Sequence, residues 1–193
     1  VTAPLGNTAP AHPRNAAWLV QHAQSIRGYI PYLDSLLAHD AVETIGSMLR
    51  RLDVQQLPRG VIHGDVFRDN VLFNERGLTG VLDFHHAAAG YWIYDLAVAA
   101  NDWCNDDSGT LDTDRLLALM RAYHAIRPLT MTETWYFPMF ALYAATAFWL
   151  SRLTAALRRP AGGQARFNNP EEFRRIVERH FAHFFYLDAR LLS

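Results

Sequence analysis

Three oxygen-bearing side chains, Asp65, Asn70 and Asp83, stand in a pattern suited to moving a phosphoryl group onto an alcohol. Asp65 and Asn70 belong to the run His63-Gly64-Asp65-Val66-Phe67-Arg68-Asp69-Asn70, and Asp83 opens the pair Asp83-Phe84. Such a transfer needs an acidic side chain that accepts the hydroxyl proton. It also needs oxygen ligands for Mg²⁺, which neutralises charge on the phosphates of ATP. Asp65 suits the first role; Asn70 and Asp83 suit the second. Between them, Val71-Leu72-Phe73, a turn around Asn74 to Gly77, and Leu78 to Leu82 read as a short hairpin. Folding it back brings Asn70 and Asp83 to the same end, within reach of one ion.

These residues carry a resemblance. The H-G-D-x-x-x-x-N loop, the hairpin and the D-F pair resemble the catalytic and metal-binding segments of the aminoglycoside phosphotransferase group of protein-kinase-like enzymes. Tyr94-Asp95-Leu96-Ala97 resembles that group's Y-D-L-A segment, which implies that Asp95 braces the catalytic loop by hydrogen bonds. His63 is expected to support the loop as well, bonding backbone near Asp83. Arg68 is expected either to reach a phosphate or to point to solvent.

A narrower likeness lies in Leu57-Pro58-Arg59-Gly60-Val61-Ile62-His63, Asn101-Asp102-Trp103-Cys104, Arg127-Pro128-Leu129-Thr130 and Phe148-Trp149-Leu150-Ser151-Arg152-Leu153. Together, from about Leu57 to Val177, they resemble the bacterial homoserine kinase branch of the group. The resemblance implies transfer from ATP to L-homoserine, giving O-phosphohomoserine for threonine biosynthesis. The chain departs from that branch at Gly64, where alanine is common, at Arg68, where proline is common, and at His85-His86. None of these removes a catalytic oxygen. Neighbouring branches act on choline, methylthioribose or aminoglycosides on the same scaffold. Homoserine presents an ammonium and a carboxylate, so its pocket needs an acidic group and an arginine. Asp102 and Arg152 are the candidates, with Asn101 and Trp103 shaping the wall.

All eighteen basic residues are arginine. Kinases of this group hold the nucleotide phosphates with a lysine from an amino-terminal β lobe, and that lysine is not in these residues. No glycine-rich phosphate loop precedes His63 either. The expected fold class is therefore mainly α with a small β-hairpin, a protein-kinase-like carboxy-terminal lobe with the amino-terminal β lobe missing. Residues 1–57 form a helical entry segment, 58–100 the catalytic loop, hairpin and bracing segment, and 101–193 a helical substrate-side subdomain. A remnant that only binds a small amine or a partner, and a purely structural helical domain, are the competing readings.

Composition agrees with a globular chain: 193 residues, 50% hydrophobic, 19% charged. The formal net charge of −1 gives no footprint for nucleic acid or an anionic membrane. The single cysteine, Cys104, excludes an intrachain disulfide framework and fits a reducing cytosol. No secretory core is visible between Val1 and Arg14. Phe137 to Leu150 is the most apolar stretch and reads as a buried helix, shorter than the roughly twenty residues that span a bilayer.

Periodicity supplies the framework. Val1 to Pro13 reads as an irregular entry. Helices are expected over Asn15 to Arg27; from Tyr32 to Leu52, as one helix or two divided near Asp40; and over Trp92 to Trp103. Val61-Ile62 is a short strand. Asp112 or Thr113 caps a helix to about Ile126, and Thr130 or Thr132 one to Leu157. After a loop from Pro160 to Asn169, a last helix starts at Pro170 and runs to about Leu187. His85 and His86 point to opposite faces if extended, a poor start for a zinc site.

Overall fold

The computed structural model describes residues 10–106, 108–158, 169–183, 185, 187 and 188. The elements are α1 (Ala16–Ile26), α2 (Tyr32–Leu49), α3 (Leu52–Gln55), β1 (Arg59–Ile62), β2 (Val71–Asn74), β3 (Gly77–Val81), β4 (Ala88–Tyr91), α4 (Trp92–Trp103), α5 (Thr113–Ile126), α6 (Met131–Leu157) and α7 (Pro170–Ala182). The mainly helical class with small antiparallel sheets is borne out.

Most helix starts follow from local side-chain chemistry. The Asn15 carboxamide oxygen accepts the Trp18 N–H at 3.1 Å, and Asp112 accepts that of Arg115 at 3.0 Å. Asn169 caps α7 through the Glu171 N–H, with Pro170 in the first turn. Helix α6 opens on a reciprocal capping box: Thr130 Oγ1 accepts the Glu133 N–H at 3.1 Å, and the Glu133 carboxylate accepts the Thr130 N–H at 2.9 Å. Glu133 is fully buried, and its charge is met by the Arg127 guanidinium.

Helix α6 is the axis of the core. Phe137, Phe140, Ala144, Ala145, Trp149 and Leu150 are all essentially inaccessible, and the helix packs against α1, α2, α4 and α7. Its span is the one expected, and its 27 residues make it long and apolar enough to cross a membrane by length and composition, although Phe137 to Leu150 was expected to be too short for that. Its burial is what the sequence reading had right: 67% of the most apolar window lies inside the molecule. Cutting a fully buried aromatic such as Phe137 to alanine costs about 3–5 kcal/mol.

Three boundaries differ from expectation. Helix α2 runs straight through Asp40, the one-helix alternative, but ends at Leu49 and breaks at Arg50–Arg51, before the single turn of α3. Helix α7 stops at Ala182: His183 leaves the helical region at φ −137°, ψ 81°, and its N–H closes on the Arg179 carbonyl at 2.8 Å. Leu187 is buried without being helical. The third is β4, for which the sequence shows no strand pattern. Ala88-Ala89-Gly90 has weak intrinsic β preference, and pairing with β1 makes it a strand, in the antiparallel register Gly60↔Gly90 and Ile62↔Ala88. At Gly60 a Cβ would come within 2.3 Å of the Trp92 ring, so only glycine allows this approach. Part of the entry segment is ordered too. Ala11 bridges Ala89 in parallel, with His12 N–H to Ala89 O at 3.1 Å and Ala89 N–H to Pro10 O at 2.8 Å. The remainder of the entry and the expected loop over residues 160–168 lie outside the described residues.

This ordered entry buries His12 beside Tyr94, with ring centroids 4.6 Å apart. Burial first, then the charges of Arg14 and His86, lowers the His12 pKa from 6.5 to about 4. The imidazole is therefore neutral in the fold but takes up a proton in the unfolded chain below its ordinary pKa. Its contribution is fully present above pH 6.5 and is lost as pH falls towards 4. Between pH 7 and 5 the loss should be on the order of 1–2 kcal/mol. Urea midpoints at the two pH values should show this drop in the wild type and a smaller one in His12→Phe.

Candidate active site

Strand β1 delivers the chain to His63, where regular pairing ends and the loop's amides need other partners. Asp95, in the first turns of α4, supplies them: one carboxylate oxygen accepts the His63 N–H at 2.6 Å and the other the Gly64 N–H at 2.8 Å. Burial raises the Asp95 pKa, while these two backbone donors pull it back down. Gly64 takes φ +77°, and a Cβ there would meet the His86 carbonyl at 3.0 Å. Glycine at this position, one of the chain's departures, thus suits the turn.

His63 is oriented by two bonds of opposite sense. Its Nε2 lies 2.7 Å from the Leu82 carbonyl, which can only accept, and its Nδ1 lies 3.2 Å from the Asp65 N–H, which can only donate. Together they select the neutral Nε2–H tautomer. The ring is thus a spacer between the end of the hairpin and the Asp65 backbone, with neither nitrogen left for proton transfer.

Beyond Asp65, Phe67 is buried edge-on against Phe148 and Phe173, with centroids 4.5 and 5.9 Å away, pinning the loop to α6 and α7. The chain then makes a 3₁₀ turn over Arg68–Asn70. Asn70 donates from Nδ2 to the Asp65 carbonyl at 2.8 Å and to its carboxylate at 3.2 Å. Its carboxamide oxygen is thereby turned away from Asp65. The hairpin closes as expected: strands β2 and β3 pair with a bulge between Leu72 and Phe73, and the Leu82 N–H reaches the Asn70 carbonyl at 2.8 Å. Asp83 follows at φ 63°, ψ 60°, the one non-glycine positive φ among the described residues. Strain at such a residue persists only where its surroundings enforce it, and it often marks function. The His85 ring contacts the Asp83 carboxylate.

Asp65, Asn70 and Asp83 open onto one cavity of about 350 Å³. Phe67, Arg68, Asp69, Asp102, Arg152 and Glu172 complete its lining. Asp65, Asp69, Asp83, Asp102 and Glu172 are five carboxylates facing two guanidiniums, so the ionised cavity is net acidic by three charges. That favours a divalent cation or an ammonium group. The Arg68 backbone N–H donates to Asp102 at 2.7 Å and its Nε at 3.1 Å, and this hydrogen bonding raises the Arg68 pKa. Arg152 donates to Glu172 at 2.6 Å and to the Asn169 carbonyl at 3.2 Å, with its guanidinium 4.3 Å from the Phe173 ring centre.

The expected substrate residues separate. Asp102 and Arg152 line the cavity; Asn101 and Trp103 do not. Consecutive helical residues point about 100° apart, so one wall cannot take all three. Asn101 is buried and donates to the Ala141 carbonyl at 2.8 Å, tying α4 to α6. Trp103 packs edge-on against Phe73 of the hairpin. Glu172 was overlooked in the sequence, because its place in the first turn of α7 already explains it through the helix dipole.

Mg²⁺ takes oxygen ligands, keeps several waters and shares phosphate oxygens, so it needs few protein ligands. Among the described residues no group of three His, Cys, Asp or Glu side chains is arranged to hold a metal alone. The Asn70 carboxamide oxygen and the Asp83 carboxylate fit the smaller requirement. The loop's dependence on Asp95 has a direct test. Asp95→Asn replaces one acceptor by a donor facing a backbone N–H, and should destabilise the chain by about 1–3 kcal/mol. Denaturant unfolding should show this loss, and amide exchange should rise at His63 and Gly64 before α6.

Comparison with known proteins agrees with the geometry. Residues 4–129 match the phosphotransferase enzyme family. The homoserine kinase of Methylobacillus flagellatus is 40% identical over 169 residues, 88% of this chain and 52% of that protein. That of Pseudomonas aeruginosa strain LESB58 is 37% identical over 169 residues, covering 86% and 52%. That of Polaromonas naphthalenivorans is 42% identical over 137 residues, covering 67% and 41%. The chain thus spans about half the length of the curated relatives it matches. Its catalytic-type loop, its bracing aspartate and these matches together make the chain a member of the phosphotransferase enzyme family.

Proposed function

We propose that the protein carrying this chain is an ATP-dependent kinase that phosphorylates the hydroxyl of L-homoserine, and that this chain supplies its proton-accepting and metal-holding side. The observation that supports it most is the shared cavity: Asp65, Asn70 and Asp83 face Asp102 and Arg152 across it. Relatives carrying the name homoserine kinase point to the same acceptor. The division into an entry segment (1–57), a catalytic region (58–100) and a substrate-side region (101–193) follows the same reading.

Asp65 orients the acceptor hydroxyl and takes its proton as the oxygen attacks the γ-phosphorus of ATP in line and the bond to ADP breaks. Asn70, donating to Asp65, keeps that carboxylate aimed. The Asn70 carboxamide oxygen and Asp83 would hold Mg²⁺, whose charge neutralises the phosphates. Asp102 receives the substrate ammonium and Arg152 its carboxylate; Arg68, paired with Asp102, is the candidate for a phosphate contact. Arg152 already pairs with the partly exposed Glu172, so an arriving substrate carboxylate would replace that partner and leave Glu172 to solvent. The partners are thus a small amino alcohol and ATP, with no nucleic acid or membrane in the reaction. A reducing cytoplasm suits the buried Cys104, whose thiol pKa burial raises to about 11.

The native protein should convert ATP and homoserine to O-phosphohomoserine, seen by ³¹P NMR, in preference to choline or methylthioribose. Asp65→Asn should lower kcat by about 10³-fold or more while homoserine binding by calorimetry changes little; retention of kcat within tenfold would remove Asp65 from this role. Arg152→Ala should raise the homoserine KM by about 10- to 100-fold, the size expected for a lost charge-assisted hydrogen bond. An unchanged KM would exclude that arginine.

A further inference from the structure

Arg14 lies outside every motif that carries the family resemblance, yet it is only 8% exposed and sits behind the catalytic loop. Its backbone is fixed from two sides. The preceding residues pair with β4, and the Tyr143 hydroxyl of α6 donates to the Arg14 carbonyl at 2.6 Å. Its guanidinium lies 4.3 Å from the Phe148 ring centre, and Nη1 donates to the Gly64 carbonyl at 3.1 Å. Among the described residues no carboxylate comes within ion-pair distance of it. Removing a guanidinium from water without a paired anion is costly. The guanidinium is instead engaged by the Gly64 carbonyl and the Phe148 ring.

The geometry of the loop supplies the reason. The Gly64–Asp65 peptide carries its carbonyl on Gly64 and its N–H on Asp65. The carbonyl is held by Arg14 and the N–H by His63 Nδ1. The preceding peptide N–H, on Gly64, is held by Asp95. Arg14 and Asp95 thus grip the same glycine through opposite ends of its backbone, one as a donor and one as an acceptor. With φ at +77°, Gly64 has the freedom to flip that peptide, and Asp65 would turn with it. Arg14, Asp95 and Asp65 all lie close enough to the buried Tyr94 hydroxyl to act on its pKa: burial raises it most, Arg14 opposes the rise, and Asp95 and Asp65 add to it. His12, held neutral, adds no competing cation.

We propose that Arg14 is a positioning residue for phosphoryl transfer: it locks the Gly64–Asp65 peptide so that the Asp65 carboxylate faces the acceptor hydroxyl. The proposal rests on the kinase reading above. A misaligned base reduces turnover far more than it reduces substrate binding.

The test uses the native protein with Arg14→Met, Arg14→Lys and Arg14→Ala, read by steady-state kinetics and by amide hydrogen exchange. Arg14→Met should lower kcat by about 100-fold with KM values for ATP and homoserine changed less than about threefold. Arg14→Lys should recover part of the loss, and millimolar ethylguanidinium should raise kcat of Arg14→Ala and not of the wild type. Exchange should quicken at Gly64 and Asp65 while α6 amides stay protected. A kcat within threefold of wild type would overturn the proposal. So would a fall in kcat with no local change in exchange and no rescue, because that pattern means general damage to the fold. Should the wild type fail to phosphorylate homoserine, the kinase reading falls. The exchange contrast between wild type and Arg14→Met still decides whether Arg14 holds the loop.

Discussion

The carboxylate of Asp95 accepts two consecutive backbone N–H groups, those of His63 and Gly64, and the rest of the site depends on that contact. The loop has left strand β1 and not yet reached the 3₁₀ turn, so it has no regular partner of its own. Two donors side by side need two acceptors side by side, which a carboxylate offers and a carboxamide does not. Asp95 can serve because α4 is anchored beneath it, against the apolar length of α6. Burial in the core therefore reaches the chemistry through a short chain: α6 holds α4, α4 presents Asp95, and Asp95 holds the loop that carries Asp65.

The second constraint is closure of the hairpin. Strands β2 and β3 are short and largely exposed, and a two-stranded ribbon of this size is marginal by itself. Their value lies in returning the chain to its starting point, where the Leu82 N–H meets the Asn70 carbonyl and His63 meets the Leu82 carbonyl. Asn70 and Asp83 are thereby set beside one another, the latter in a left-handed conformation. Around them the cavity is acidic, and its two arginines are both engaged by carboxylates. That suits a site visited by a cation, an ammonium and a carboxylate in turn.

Features governed by neighbours in sequence were readable in advance. Asn15, Asp112, Thr130 with Glu133, and Asn169 before Pro170 mark helix starts because a cap bonds within three residues. Asn74 and Gly77 mark the hairpin turn for a similar reason. The proposed trio of Asp65, Asn70 and Asp83 stood out because phosphoryl transfer would fix such a spacing. Features decided by distant partners were not. Ala88–Tyr91 is a strand only because β1 and the entry segment flank it. The end of α7 is set where the chain leaves the helical region at His183, with no glycine or proline to announce it. Asn101 turns to α6 and Trp103 to the hairpin, while Glu172 arrives from the far end of the chain. Apart from the end of α7, each of these is a statement about packing between segments tens of residues apart, which no local pattern encodes.

The most direct test of the whole arrangement is where a divalent ion binds. With Mn²⁺ replacing Mg²⁺ and ATP present, paramagnetic broadening in amide NMR spectra of the native protein should centre on Asp65, Asn70 and Asp83. It should fall away in Asp83→Ala while the Asp95-bonded amides of His63 and Gly64 keep their shifts. Broadening centred elsewhere, for example on His180 and His183, or none at all with ATP bound, would contradict the account.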